Sequence, residues 1–339
     1  MNHAATLAIV IPAYKPHFLG FALESVASQT DLRFRLYVGD DAGPEEIAGM
    51  CASYAESGRS ITYHRFEQNL GRRSLTAHWN RCIALTREPW VWLFSDDDVM
   101  LPGCVGAFHS ELDDAAGFDV LRFNTEVIDP YGCRISVNPR HPEVESGSDF
   151  IYDRMLVRRQ SYVVEYVFRR EAFDAAGGFP HYPVGWGADY AAWFLLSRRG
   201  GIRTLRGGGV KYRESCHSIS GDSRRHQREK FDATVQFLRF VEREVAPADV
   251  RVRAPEEWRR ATENWFLGQA HYLMPVGPSM WRAMLRASGD WWRRNGPIRL
   301  LLLSLWNGQA WIRLVRTTLA RRHRDEQSGH DPRRRPSRT

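Results

Sequence analysis

The first hundred residues alternate short β-branched runs with stretches of helical periodicity, and this alternation limits the fold more than any other feature of the chain. TLAIVIPAY (6–14), FRLYVGDD (34–41), ITYHRF (61–66) and PWVWLFS (89–95) read as strands. Between them, 17–29, 44–57 and 74–86 space apolar residues for one helix face, as Leu75, Trp79, Cys82 and Ile83 do. Glu45 and Glu46 fall in a first helical turn, where they complement the helix dipole. The order βαβαβαβ predicts an α/β fold: an open, mostly parallel sheet with helices on both faces. Further on, 119–129 and 161–170 read as strands and 187–201 as a helix closed by glycines.

In open sheets of this kind, ligands sit beyond the carboxyl ends of the strands. Asp40–Asp41 and Asp96–Asp98 both fall at such ends, so they are expected to converge on one crevice. Three adjacent carboxylates repel one another. The plain alternative is a solvated turn, but Val99, Met100, Leu101 and Pro102 follow directly. A divalent cation neutralises such a cluster, and all-oxygen ligands suit Mg²⁺ or Mn²⁺. Mg²⁺ usually takes one or two carboxylates and completes its shell with phosphate and water, so a cation site also points to a phosphorylated substrate. No Gly-x-Gly-x-x-Gly follows the first strand, which argues against a dinucleotide dehydrogenase.

VIPAYKP, GDDAGP, NLGRRSLTAHWNRCI and FSDDDVMLPG, in that order, resemble the nucleotide-sugar domain of family 2 glycosyltransferases, across roughly residues 6 to 220. The resemblance implies a GT-A fold, a Rossmann-like open sheet with flanking helices. It implies that Pro12, Ala13 and Tyr14 line a nucleotide pocket and that Asp41 accepts hydrogen bonds from the nucleobase. Asn69, Gly71 and Arg72 (or Arg73) would border the nucleotide and its phosphates, and Asn80 would lie near the donor. Asp96 and Asp98 match the outer acids of the D-x-D motif, Asp96 toward ribose or sugar and Asp98 toward the metal. The run of three leaves the register open by one, so Asp97 can replace either.

The family usually carries a Glu-Asp pair at the acceptor-side helix. Here GWGADY (185–190) has Ala188 in the first place, which leaves Asp189 as the implied general base. Its plain alternative is an acid in a first helical turn. KYRESCHSISGDSRR (211–225) resembles the segment after the last sheet strand, which implies that His217 reaches the metal or the diphosphate and that Arg224 and Arg225 close over it.

The net charge of +7 is concentrated at the C-terminus, where residues 280–339 hold fourteen Arg against four acids. Residues 279–323 mix Trp and Arg around a Leu run, which suits either an anionic membrane surface or a packed helical appendage. No motif supports a nucleic-acid partner. The thirteen residues between Arg299 and Arg313 fall short of a membrane span. Five cysteines, an odd number without metal-ligand spacing, read as free thiols in a reducing compartment. The expected organisation is a catalytic domain over 1–225, a C-terminal α-helical extension over 226–324 and a basic tail over 325–339.

Together these features imply an inverting, metal-dependent transferase. It would move a sugar from a nucleotide-sugar donor to a glycan or lipid-linked acceptor in bacterial envelope polysaccharide synthesis. The expected location is cytoplasmic, with the inner membrane face as the surface a lipid-linked acceptor would require. The rivals are a sugar-phosphate nucleotidyltransferase and a non-catalytic nucleotide-sugar-binding module.

Overall fold

The computed structural model describes residues 6–221, 225–245 and 255–272. Its first part runs β1 (Leu7–Ala13), α1 (Leu19–Ala27), β2 (Phe34–Asp40), α2 (Glu46–Glu56), β3 (Ile61–Arg65), α3 (Leu75–Ile83) and β4 (Trp90–Leu93). These elements follow the expected alternation one for one. The strands pair in parallel in the order β3-β2-β1-β4. β1 lies between two neighbours and is buried almost throughout, as its continuous apolar run requires. Pro12 limits the β1–β4 ladder. The last bond runs from the Phe94 N–H to the Val10 carbonyl (2.8 Å), and Pro12 has no N–H to continue it. The ladder ends there, and the triple-aspartate turn follows.

The chain continues as β5 (Val99–Met100), α4 (Cys104–Ser110), β6 (Val120–Arg122), β7 (Thr125–Ile128), β8 (Arg134–Val137), β9 (Val144–Glu145) and α5 (Gly147–Met155). After these come β10 (Tyr166–Arg169), α6 (Arg170–Ala175), α7 (Ala188–Leu196), β11 (Ile202–Thr204), β12 (Val210–Arg213), α8 (Gln227–Glu244) and α9 (Pro255–Tyr272). Among the described residues, the main sheet has eight strands, β3-β2-β1-β4-β10-β6-β11-β9, and a second has four, β5-β12-β7-β8. β10 runs antiparallel between β4 and β6.

The single strand expected over 119–129 is two strands in different sheets. The Phe123 N–H donates to the Glu165 carbonyl (2.9 Å), one step beyond the Arg122–Tyr166 pair, and its ring stacks on Trp92 at 4.8 Å. The chain re-enters as β7, in the second sheet, at Thr125. The strand expected over 161–170 begins only at Tyr166, after a 3₁₀ turn at Val163–Glu165. In the C-terminal part, α8 packs against α7 and α9 packs against α5 and α8. All five cysteines are free, with Cys51, Cys82 and Cys104 buried. No helix among the described residues is long and apolar enough to cross a membrane. The Trp- and Arg-rich segment 279–323 and the tail 325–339 lie outside the described residues.

Candidate active site

At the end of β2 the two aspartates turn opposite ways. Asp40 is fully buried: its Oδ1 accepts the Gly43 N–H (2.7 Å), and its Oδ2 accepts Tyr63 Oη–H (2.6 Å) and Arg65 Nη1–H (2.7 Å). It fixes the turn and ties β3 to β2. Asp41 instead organises the loop before α3. Its two oxygens accept the Leu70 and Gly71 N–H groups, each at 2.8 Å, and Arg81 pairs with the same carboxylate. Gly71 is required by this approach, because a Cβ there would stand 2.6 Å from Asp41 Oδ2. Asn69 Oδ1 accepts the Arg72 N–H (2.8 Å) and completes the loop. His78 lies 3.4 Å from Asp41, and burial pushes its imidazole down to about 4, so it is neutral at pH 7.

Beyond β4, Asp96 Oδ2 accepts the backbone N–H groups of Tyr14 (3.2 Å) and Lys15 (3.3 Å), which join the ends of β1 and β4. Asp98 is buried, and its Oδ1 accepts the Arg213 N–H (2.7 Å) from β12. The Asp97 carbonyl accepts Arg213 Nε–H (2.8 Å). Burial raises the carboxyls of Asp96 and Asp98, and burial with repulsion from Asp96 pushes Asp97 up to about 7. The nearby cations have other work: Lys15 Nζ donates to the His217 carbonyl, and Arg213 also donates to the carbonyls of Asp129 and Pro130 at 3.1 Å.

Crowding and burial thus hold these carboxyls toward the protonated form, which a bound cation would reverse. Among the described residues, no three His, Cys, Asp or Glu converge as an all-protein metal cage. One or two hard carboxylate oxygens beside a space for phosphate fit Mg²⁺ or Mn²⁺.

Asp189 stands in the first turn of α7, behind a sharply bent approach. Val184 (φ 49°), Gly185 (φ 70°) and Gly187 (φ 75°) all take left-handed conformations. Burial pushes the Asp189 carboxyl up to about 7, against the opposing charge of Arg154. Arg154 donates to Tyr190 Oη (2.8 Å), with its guanidinium 4.5 Å from the centre of that ring. Asp189, Asp96–Asp98, Pro12–Tyr14, Asp41, Asn69, Gly71 and Arg72 all line one cavity of about 1030 Å³.

Residues 8–137 match the family model described as glycosyl transferase family 2. Over these residues the chain is similar to family 2 glycosyltransferases. Its fold is GT-A. Residues 1–349 of TarS from S. aureus, in complex with UDP-GlcNAc, superpose with a TM-score of 0.62 at 12% identity, over 84% of this chain and 80% of that one. GalNAc-T7 with UDP, GalNAc and Mn²⁺ gives 0.50 at 12% identity, over 71% of this chain and 48% of that one. A search of curated protein sequences found no match.

Among the described residues, two of the expected site residues lie apart from the cavity wall. Asn80 clamps a backbone: its Oδ1 accepts the Phe179 N–H (3.0 Å) and its Nδ2–H donates to the Phe179 carbonyl (3.1 Å). His217 is exposed and stacks on His17 at 4.6 Å. Arg225 lines the cavity, whereas Arg224 lies outside the described residues. The cavity also takes residues that no motif marked: Glu214 and His226, then Thr234 and Phe237 on α8 and Trp265 and Gln269 on α9. The apolar spacing of these helices reads the same whether a face meets core or cavity, so no local signal set them apart.

Proposed function

We propose that the protein transfers a sugar from a nucleoside-diphosphate sugar to the hydroxyl of a glycan or lipid-linked acceptor, with inversion at the anomeric carbon. One observation carries this reading: the triple-aspartate turn and Asp189, ninety residues apart in sequence, line the same cavity. On the donor side, Pro12–Tyr14 and the loop Asn69–Arg72 border the nucleotide. Asp41 holds that loop and leaves lone pairs for the nucleobase. Asp98, with Asp97 or Asp96 beside it, would hold a divalent cation, and the Mn²⁺ in the GalNAc-T7 complex supports this choice. When bound, such an ion supplies Lewis-acid stabilisation of the departing diphosphate.

Asp189 takes the acceptor proton. With that proton removed, the acceptor oxygen forms its bond to the anomeric carbon while the bond to the β-phosphate oxygen breaks, and the electron pair leaves with the diphosphate. A base opposite the leaving group makes this a single displacement with inversion. A carboxyl titrating near 7 suits the role, because it is a stronger base than an exposed aspartate and is still substantially ionised at neutral pH.

Synthesis of a cell-envelope polysaccharide on the inner membrane face is the setting we propose. The test is nucleoside diphosphate release from a panel of UDP-, dTDP- and GDP-sugars with Mn²⁺. Release of pyrophosphate instead would mark a nucleotidyltransferase, and tight donor binding without turnover would mark a binding module.

A further inference from the structure

Asp189 stands in a helix turn that, among the described residues, has no side-chain cap. α7 opens on Gly187 (φ 75°), which has no side chain to accept the free N–H groups of the first turn. Ala188 is fully buried and anchors the turn on the core side. A second hold comes from α5. Arg154 Nη2–H donates to Tyr190 Oη (2.8 Å), with the guanidinium 4.5 Å from the centre of that ring, and Tyr190 is the residue next to Asp189. Arg154, Asp189 and Tyr190 line the same cavity, although Arg154 is only 7% exposed.

Arg154 is itself held from behind. Val157 (φ 53°) reverses the chain after α5, with its N–H on the Arg154 carbonyl (3.1 Å). A β-branched residue in that conformation is a true outlier, and it persists only where the surroundings fix it. The reversal lets the Arg159 carbonyl accept Arg154 Nη1–H, while the Arg159 side chain pairs with Glu145 on β9 and Asp153 on α5.

The charges around Asp189 come from several elements. Arg154 favours its ionised form, and Glu165, in the 3₁₀ turn before β10, opposes it. Glu165 is engaged elsewhere: it accepts the Thr125 hydroxyl (2.7 Å), and His141 stands 3.3 Å from its other oxygen. On α8, Lys230 lies 5.0 Å from the centre of the Trp186 ring, and Arg225 and His226 line the cavity just before that helix.

We propose that Arg154 is a positioning residue for the general base, fixing the first turn of α7 through Tyr190 and lending its positive charge to the Asp189 carboxylate. This deepens the transferase reading and rests on it. Burial already raises the Asp189 carboxyl to about 7, so losing an opposing charge would keep its proton on to higher pH.

The test is the pH profile of nucleoside diphosphate release by the full chain with Mn²⁺. The donor is whichever UDP-, dTDP- or GDP-sugar turns over, with water standing in for the acceptor hydroxyl. In Arg154→Gln the rising limb near pH 7 should move up by about one pH unit, which lowers the rate at pH 7 about fivefold. Arg154→Lys keeps the charge and should restore the limb. A loss of rate equal at every pH, with the limb unmoved, would mark a merely structural arginine and overturn the proposal. If Arg154→Gln does not fold, Tyr190→Phe decides, because it keeps the ring and the charge and removes the hydroxyl that Arg154 holds. Its kcat should fall about fivefold with donor KM unchanged; an unchanged kcat would overturn the proposal. The pairing is also read without substrate. The rise with pH in melting temperature of Asp189→Asn over its parent should level off near 7, and about one pH unit higher when both proteins carry Arg154→Gln. The same end point in both backgrounds would overturn the proposal. No nucleotide release by wild type from any donor would instead defeat the transferase reading.

Discussion

The two ends of the cavity are built differently. The end that we assign to the donor comes from β1–β4 and the turns after them, and backbone amides hold its carboxylates: Asp41 by Leu70 and Gly71, Asp96 by Tyr14 and Lys15, Asp98 by Arg213. The end that we assign to the acceptor gathers the loop after α5, the bent approach to α7 and residues of α8 and α9, and it includes left-handed valines. Fixed backbone suits a diphosphate, whose charge and geometry vary little among donors. Side chains on helices can vary without disturbing the sheet, which suits selection among acceptors.

That contrast is open to mutation. The largest effect is expected from Asp98→Asn, which should lower turnover by about 10³-fold in a nucleoside-diphosphate release assay. Retained activity would remove Asp98 from the donor end. Asp189→Asn should cost about 10²–10⁴-fold in kcat. Donor affinity, read by calorimetry, should stay within about twofold, since no uniform binding is lost. A matching loss of affinity would move Asp189 to the donor end.

Two pH effects follow from the raised Asp189 carboxyl. Below about 7 it holds a proton and has no base to offer, so kcat/KM should climb as pH rises through 7 and then level off. A profile flat from pH 5 to 8 would contradict this. Stability should move the opposite way. Between about pH 4 and 7 the folded chain keeps a proton that the unfolded chain has lost, so this group's contribution falls as pH rises. The melting temperature of Asp189→Asn relative to wild type should therefore increase from pH 5 to pH 8.

Gly71→Ala should weaken donor binding by about tenfold, a cost of about 1.4 kcal/mol, as the added methyl displaces Asp41. The KM of any acceptor should stay unchanged. The smallest effect belongs to Val184→Gly. Releasing a left-handed β-branched residue should stabilise the fold by roughly 1 kcal/mol. In a denaturant titration this variant should unfold at higher concentration than wild type while its acceptor KM rises. A fall in stability would show that Val184 packs more than it strains.

The same contrast explains what could be read from the sequence. The wall built from β1–β4 was legible because its elements follow one another, β1, β2 and β4 lead into residues that line the cavity, and Gly71 and the aspartates sit in short motifs. The parallel order of β1–β4 followed from the same alternation. At the other end, Asp189 was marked by the resemblance of GWGADY to the family's acidic pair. Trp265, Gln269, Thr234 and Phe237 lie on helices whose periodicity does not say what a face meets. Val184 gave no turn signal, because valine is the wrong residue for its backbone conformation. The break after Arg122 falls inside a segment whose spacing reads as one strand, so the move to the second sheet at Thr125 carried no local signal.

The division of labour between the Asp96–Asp98 turn and Asp189 is tested most directly by calorimetric titration of the nucleoside diphosphate with and without Mn²⁺. Wild type and Asp189→Asn should show the same Mn²⁺-dependent gain in affinity, and Asp98→Asn should show none. An equal gain in all three proteins, or its loss in both variants, would contradict the account.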